Sequence, residues 1–164
     1  MEKKRKYRQV HDYYLTEWLG ITYPPGTWRV NVPLGDMLIA KDKPITPEER
    51  RQLGGMLGAN ADAVAVTASE LHIFEAMVRH EPGAMEDLLK YGYLIRYTTD
   101  YQPYIDFPVK LFIVTPLDLG WTEKFYEKYG IKTIYYKPTW VLEYLHTYPR
   151  GEWRGKLSRL APVE

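Results

Sequence analysis

Two carboxylates with a spacing suited to metal chemistry stand in the stretch NADAVAVTASELHIFEAMVRHEP, residues 60–82. Asp62 and Glu75 belong to two β-rich runs that flank Ala68-Ser69, and this pattern indicates an antiparallel hairpin. A turn centred on that dipeptide places the two acids opposite each other, with Cβ atoms about 4.5–5.5 Å apart. Such a pair could ligate one Mg²⁺ or Mn²⁺ ion, because two buried like charges need a cation or a shared proton.

The segments around the hairpin predict the layers that must position these acids. Apolar periodicity predicts helices over residues 7–19, from Pro47, over 84–98 and over 121–130, and strands at 28–32, 109–116 and 131–138. The helix from residue 84 is expected to turn Met85, Leu88, Leu89, Gly92 and Ile95 to one face. Both faces of the hairpin strands carry apolar residues, which is typical of central strands. We therefore predict an α/β fold in which helices flank both faces of a mixed central sheet.

The length of 164 residues suits one domain. We divide the chain into a basic N-terminal arm (1–8), a single α/β domain (9–146) and an aromatic and basic C-terminal tail (147–164). The net charge of +1 provides no general attraction to nucleic acid, so contact with DNA would be local and would use the basic arms. Tyr148 and Trp153 in the tail favour docking on a neighbouring subunit or partner, and stacking on single-stranded nucleic acid is the alternative that the same composition leaves open.

The composition excludes several classes of protein and site. No apolar run reaches the length of about 18 residues that a membrane span requires, and no apolar segment of a secretory signal follows the basic N-terminus. The chain has no cysteine, so a metal would need oxygen or histidine ligands, which favours a hard cation. The four histidines do not have zinc-site spacing, and no phosphate-binding glycine loop is present.

Taken in order, DAVAVT, LHIFEAM, GAMEDLLKYGYLIRYT, VKLFIVTP and YGIKTIYYKPTW resemble the PD-(D/E)XK nuclease superfamily. The resemblance covers about residues 7–140 and implies a restriction-endonuclease-like fold. It implies that Asp62 and Glu75 are the metal-binding acids. It also implies that Glu17, on the first helix, is the extra acid that some members have.

The chain departs from this family at the position of the catalytic lysine, where Met77 stands two residues after Glu75. The family lysine orients and acidifies the attacking water, whereas a thioether carries no charge and donates no hydrogen bond. Loss of such a group costs on the order of 10²–10³ in rate. Arg79 and Lys90 are the candidates to replace it. The Gln-x-x-x-Tyr motif of some members is not reproduced either, because Asp87 occupies the glutamine position.

These observations favour a catalytically degenerate nuclease-fold protein that serves as a structural or adaptor subunit. A phage head–tail junction near packaged DNA is one such context, so we expect a cytoplasmic or virion protein that needs no cofactor. We expect a homo-oligomer or another protein assembly formed through the tail, without a membrane.

Two functional alternatives stay open. The first is an active DNA nuclease that uses Mg²⁺ or Mn²⁺, with Arg79 or Lys90 as the relocated catalytic cation. The second is a DNA-binding module that does not cut. A third interpretation concerns the acids alone: Asp62 would cap a strand entry, and Glu75 would be a paired buried acid.

Overall fold

The computed structural model describes residues 2–39, 45–56 and 59–148. Its helices are α1 (Glu2–Thr22), α2 (Pro47–Met56), α3 (Ala84–Leu94), α4 (Trp121–Lys128) and α5 (Thr139–Thr147). Its strands are β1 (Trp28–Pro33), β2 (Asn60–Val66), β3 (Leu71–Ala76), β4 (Val109–Thr115) and β5 (Ile131–Tyr135). The predicted tail lies outside the described residues after Tyr148, so its docking stays a prediction.

The five described strands form one sheet in the order β1-β2-β3-β4-β5. The pairs β1–β2 and β2–β3 are antiparallel, whereas β3–β4 and β4–β5 are parallel. Parallel neighbours need a crossover, and α3 and α4 supply the two crossovers in the chain. The predicted α/β class and mixed sheet are therefore confirmed.

Hydrophobic cores lie on both faces of the sheet, as the apolar patterning of the hairpin predicts. One core joins α3 to the sheet and includes Val64, Ile73, Met77, Leu88, Ile113 and Ile131. The other core joins α1 and α5 to the sheet and includes Tyr14, Leu19, Phe74, Val114, Val141 and Leu145. We call them the α3 core and the α1/α5 core. Since adjacent residues of β3 point to opposite faces, Ile73 and Phe74 enter different cores.

The buried face of α3 differs in one position from the predicted face. Leu88 and Ile95 are buried as expected, but Leu89 is exposed and Tyr91 takes its place in the core. Burial follows the spacing of Leu88, Tyr91 and Ile95, which is one helical stripe, whereas Leu89 is rotated away from it. Tyr91 thereby comes close to the acids of the hairpin.

The backbone of β1 changes direction at Asn31, the only residue other than glycine with a positive φ (50°) among the described residues. Before it, Val30 packs against the α1/α5 core, and after it, Val32 belongs to the α3 core. Strand residues two apart normally share a face. Edge strand β1 therefore contributes to both cores, one before Asn31 and the other after it.

Two elements at the ends of the domain differ from the predicted ones. Helix α1 begins at Glu2 and continues through Gly20 to Thr22, so the backbone of the predicted arm is helical from residue 2. Helix α5 was not predicted, although Val141, Leu142 and Leu145 bury one side of it. In the part of the chain with assigned structure, no helix has both the length and the apolar character needed to cross a bilayer.

Candidate functional site

The hairpin has the predicted register. Its paired residues are Ala63 with Phe74, Val64 with Ile73, Ala65 with His72, and Val66 with Leu71. The amide of Thr67 donates to the carbonyl of Glu70 at 2.9 Å and closes the turn around Ala68-Ser69. One step beyond the last pair, the same register sets Asp62 against Glu75.

Asp62 is held at this position by the neighbouring strand. Its Oδ2 accepts a hydrogen bond from the backbone amide of Ala76 at 2.9 Å. This contact directs the carboxylate across the hairpin to the residue that follows Glu75. A half-buried carboxylate that takes a backbone donor is fixed in orientation before any ligand arrives.

Glu75 is the most strongly perturbed carboxyl group of the site. It is 9% exposed, and its Oε2 has no hydrogen-bond partner among the described residues. Burial, followed by the charges of Asp62, Asp87 and Glu81, raises the pKa of Glu75 to about 9, while Lys90 opposes the shift. At neutral pH, the side chain is therefore protonated unless a cation compensates it.

The acid pair fits a hard divalent cation in chemistry but supplies few ligands. The buried Oε2 of Glu75 and the opposed carboxylate of Asp62 are oxygen donors of the kind that Mg²⁺ and Mn²⁺ take. Residues 2–39, 45–56 and 59–148 contain no group of three or more acidic or histidine side chains that could hold a metal ion. Most of the coordination sphere would consequently come from water or from a bound phosphate.

Met77, at the position of the family lysine, lies in a buried hydrocarbon environment. Its side chain is 1% exposed and belongs to the α3 core. Its amide donates to the carbonyl of Val114 at 2.9 Å, and its carbonyl accepts from the hydroxyl of Thr115 at 2.6 Å. The backbone just after β3 is thus fixed by β4, and the thioether packs in the core on the face of the sheet that carries Glu75.

The structure brings only one of the two candidate replacement cations to the acids. Lys90 lies on α3, its Nζ is 2.8 Å from Oδ1 of Asp87, and its charge lowers the pKa of Glu75. Arg79 is directed elsewhere: its Nη2 donates to the carbonyl of Tyr148 at 2.5 Å, and its guanidinium lies 5.2 Å from the ring centroid of Tyr144. Helix α5 and the residue that follows it therefore hold Arg79.

Glu17 lies apart from the acid pair. Its two carboxylate oxygens accept hydrogen bonds from the Tyr136 hydroxyl and, at 2.8 Å, from Nε1 of Trp140. These partners belong to the layer of α1 and α5, whereas the α3 layer covers the acid pair. Glu17 connects α1 to the end of the sheet and is not brought to Asp62.

Two further residues of α3 belong to the site and were not selected from the sequence. Asp87 and Tyr91 lie one helical turn apart. The charge of Asp87 raises the pKa of Glu75, and the charge of Glu75 raises the pKa of Tyr91. Burial and the nearby carboxylates raise the pKa of Tyr91, so its phenol stays protonated. Their four-residue spacing places them on one helical face, a signal that the sequence did contain.

The assembled site contains two opposed carboxyl groups, a neighbouring Asp–Lys ion pair and a buried phenol on one face of the sheet. Comparison of the chain with protein-family models, curated proteins and solved structures found no match in any of the three.

Proposed function

We propose that this chain is a catalytically degenerate protein of the restriction-endonuclease-like fold and serves as a structural or adaptor subunit. The observation that carries the proposal is Met77, which is buried in the α3 core at the position of the catalytic lysine. A phage head–tail junction near packaged DNA is the context that we propose for such a subunit.

The environment of Met77 explains why the site would not cut. Catalysis of phosphodiester cleavage needs a charged donor beside the attacked phosphate, and the thioether offers neither charge nor donor. Glu75, one pleat away, has a pKa raised to about 9 and is a poor ligand while it keeps its proton. The acids therefore act as a polar pair of one buried and one half-buried carboxyl group, whose role is structural.

A second candidate function, an active metal-dependent DNA nuclease, is favoured by the position of Lys90. Its ammonium lies beside Asp87 and close enough to Glu75 to influence that carboxyl group. Asp62 and Glu75 would hold the divalent cation, which when bound neutralises phosphate charge and acidifies water. Lys90 would then donate a hydrogen bond to a phosphate oxygen.

An exposed aromatic row, formed by α4 and the residue that follows it, supports the role in assembly. Trp121, Phe125 and Tyr129 follow one another at four-residue intervals, and Trp121 is 77% exposed. Their rings contact edge to face, with centroids 6.4 Å and 5.2 Å apart. Aromatic residues on a surface are favoured anchors of protein interfaces. We call these three residues the α4 aromatic row.

Cleavage assays distinguish the two functions. The purified chain is incubated with single- and double-stranded DNA in Mg²⁺ and in Mn²⁺, beside Glu75→Ala, Met77→Lys and Lys90→Ala. A degenerate site predicts no cleavage by the natural protein, and Met77→Lys is the repair variant. Lys124→Ala, an exposed change on α4, is the matched control for Lys90→Ala.

Cleavage by the natural protein that disappears in both Glu75→Ala and Lys90→Ala would overturn the structural proposal and establish the second candidate. Cleavage that survives Glu75→Ala would indicate a contaminating enzyme, and the degenerate site would stand. Each variant is checked for its thermal midpoint, so that loss of activity is separated from loss of the fold.

A further inference from the structure

The described sheet ends at β5, and the outer edge of that strand is open over its second half. β5 pairs with β4 on one side, and no other described strand lies beyond it. Ile131 is buried, whereas Tyr135 is 39% exposed and Thr133 keeps part of its surface accessible. The strand consists mostly of β-branched and aromatic residues and contains no proline. Such an edge can accept a strand from another chain.

The backbone groups that face this edge follow from the ladder between β4 and β5. The amide of Tyr136 donates to the carbonyl of Thr115 at 3.1 Å, and Thr115 is in register with Tyr135. In a parallel ladder, the residue in register with a bonded residue directs its own amide and carbonyl away from that neighbour. Because this direction alternates along a strand, Thr133 and Tyr135 present their amides and carbonyls at the open edge, and Ile134 bonds to β4.

One antiparallel register with a second copy of β5 uses both open residues. In a contact centred on Ile134, Thr133 of each copy pairs with Tyr135 of the other, and each pair exchanges two hydrogen bonds. Ile134 then opposes its own copy on a two-fold axis. This register also keeps the cations apart, since Lys132 opposes Tyr136. A contact centred on Lys132 would instead bring two like charges together.

The α4 aromatic row lies beside the same edge. Helix α4 packs against β5, and the hydroxyl of Tyr135 donates to Oε2 of Glu123 on α4 at 2.8 Å. A two-fold axis perpendicular to the sheet keeps both copies of α4 on one face and sets them antiparallel, one on each side of the junction. Glu123 and Glu127 of one helix can then oppose Lys124 and Lys128 of the other. A second copy therefore complements both the edge strand and the helix beside it.

We propose that β5 and α4 form the contact between two copies of this chain, in which the edge strands pair antiparallel and continue the sheet across a two-fold axis. The contact rests on the proposed role as a structural subunit, for which it names the partner. It does not depend on the acid pair. The cleavage assays and the measurements of association can therefore fail independently of each other.

Proline substitutions test the edge in the full chain. Thr133→Pro removes an amide that faces outward and leaves the ladder with β4 intact, so the thermal midpoint should be kept while the dimer weakens at least tenfold. Thr133→Ala is the matched control, because it keeps the amide and removes a hydroxyl that has no hydrogen-bond partner in the described part of the chain. Ile134→Pro removes an amide bonded to β4 and should lower the thermal midpoint instead. Sedimentation equilibrium measures the dissociation constants of the dimers.

Single cysteines test the register, because the natural chain contains none. Opposed residues that do not exchange hydrogen bonds have Cα atoms about 4.5 Å apart, which suits a disulfide. Ile134→Cys should therefore form a covalent dimer on mild oxidation at least tenfold faster than Lys132→Cys. These two variants decide alone if Thr133→Pro loses the fold.

Three results would overturn the proposal. The first is a natural protein that stays monomeric at millimolar concentration. The second is a dimer that Thr133→Pro leaves unchanged while the thermal midpoint is kept. The third is equal rates of disulfide formation in Ile134→Cys and Lys132→Cys, which would indicate random collision, or a faster rate in Lys132→Cys.

Discussion

Glu75 illustrates how one buried side chain couples the site to the stability of the domain. Its carboxyl group is enclosed by the α3 core, and carboxylates surround it on β2 and α3. The ionised form is therefore costly in the folded chain, whereas the same group is hydrated in the unfolded chain. Proton uptake on folding is the result.

Glu75→Gln should stabilise the domain increasingly as the pH rises. The pKa of Glu75 is about 9 in the folded chain against an ordinary value of 4.5, so the folded state binds the extra proton between those limits. The natural protein therefore loses stability as the pH rises from about 4.5 to about 9, and the glutamine variant lacks this loss. Urea unfolding at pH 5, 7 and 9 should show a growing difference, of about 1 kcal/mol or more between the extremes.

The control for this titration is Glu143→Gln, because Glu143 is exposed on α5. Its difference from the natural protein should stay constant across the same pH range. A constant difference for Glu75→Gln as well would mean that Glu75 is ionised in the folded chain.

At the scale of elements, Glu17 joins three parts of the α1/α5 layer. Its carboxylate accepts from Tyr136, just after β5, and from Trp140 in the first turn of α5. The phenol of Tyr14, also on α1, donates to the carbonyl of Tyr136 at 2.6 Å. Helix α1 is thus attached to the C-terminal end of the domain by hydrogen bonds as well as by apolar packing.

Replacement of Glu17 separates this role from metal binding. Glu17→Ala leaves the Tyr136 hydroxyl and the Trp140 indole without their acceptor, and should cost about 1–3 kcal/mol of unfolding free energy. Glu17→Gln keeps one carbonyl acceptor and should cost less. Urea unfolding in the presence and absence of Mg²⁺ provides the measurement. A cost for Glu17→Ala that appeared only with Mg²⁺ would support a ligand role instead.

Local sequence patterns predicted those elements that are determined by residues close together in the sequence. The hairpin register follows from the turn at Ala68-Ser69 and from alternation along two short strands, and the structure has that register. Helix α5 shows the limit, since its apolar residues Val141, Leu142 and Leu145 form a helical stripe from which no helix was predicted. Because helix α5 was not predicted, the contacts of Arg79 with Tyr144 and Tyr148 were not predicted either.

The site was less predictable than the fold because its partners are distant in sequence. Arg79 would share a face with Glu75 if β3 continued, but the strand ends at Ala76, and the Arg79 guanidinium donates to the carbonyl of Tyr148, which lies 69 residues away. Glu17 contacts Tyr136 and Trp140 across separations of 119 and 123 residues. Periodicity can assign a side chain to a face of a helix or strand. Which partner it contacts on that face depends on how the helices pack against the sheet.

At the scale of the whole molecule, the surface of α4 is suited to contact with a second copy of the chain. Acids and bases alternate beside the α4 aromatic row, at Glu123, Lys124, Glu127 and Lys128. A helix with both signs in equal number can oppose an identical helix across a two-fold axis, acid to base. The row would then be buried at the centre of the contact.

Trp121→Glu should abolish this self-association. The introduced carboxylate would be desolvated within the two-fold contact, where the apolar ring of Trp121 is otherwise buried. Multi-angle light scattering over a hundredfold range of concentration should show a larger species for the natural protein than for this variant. Tyr93→Glu, at an exposed position on α3, is the control.

Removal of residues 149–164 distinguishes the surface of α4 from the C-terminal tail. Loss of the larger species in this truncation, but not in Trp121→Glu, would assign the assembly to the tail. A monomer at every concentration would contradict self-association for either surface.

The positive φ of Asn31 also affects how the sheet meets other molecules. Edge strands expose unpaired amides and carbonyls, which can recruit a strand from another chain and begin aggregation. The left-handed φ of Asn31 interrupts the extended backbone of β1, and Pro33, two residues further on, has no amide to offer. This edge therefore does not present a continuous ladder for an incoming strand, and the sheet is protected from growth into a fibril on that side.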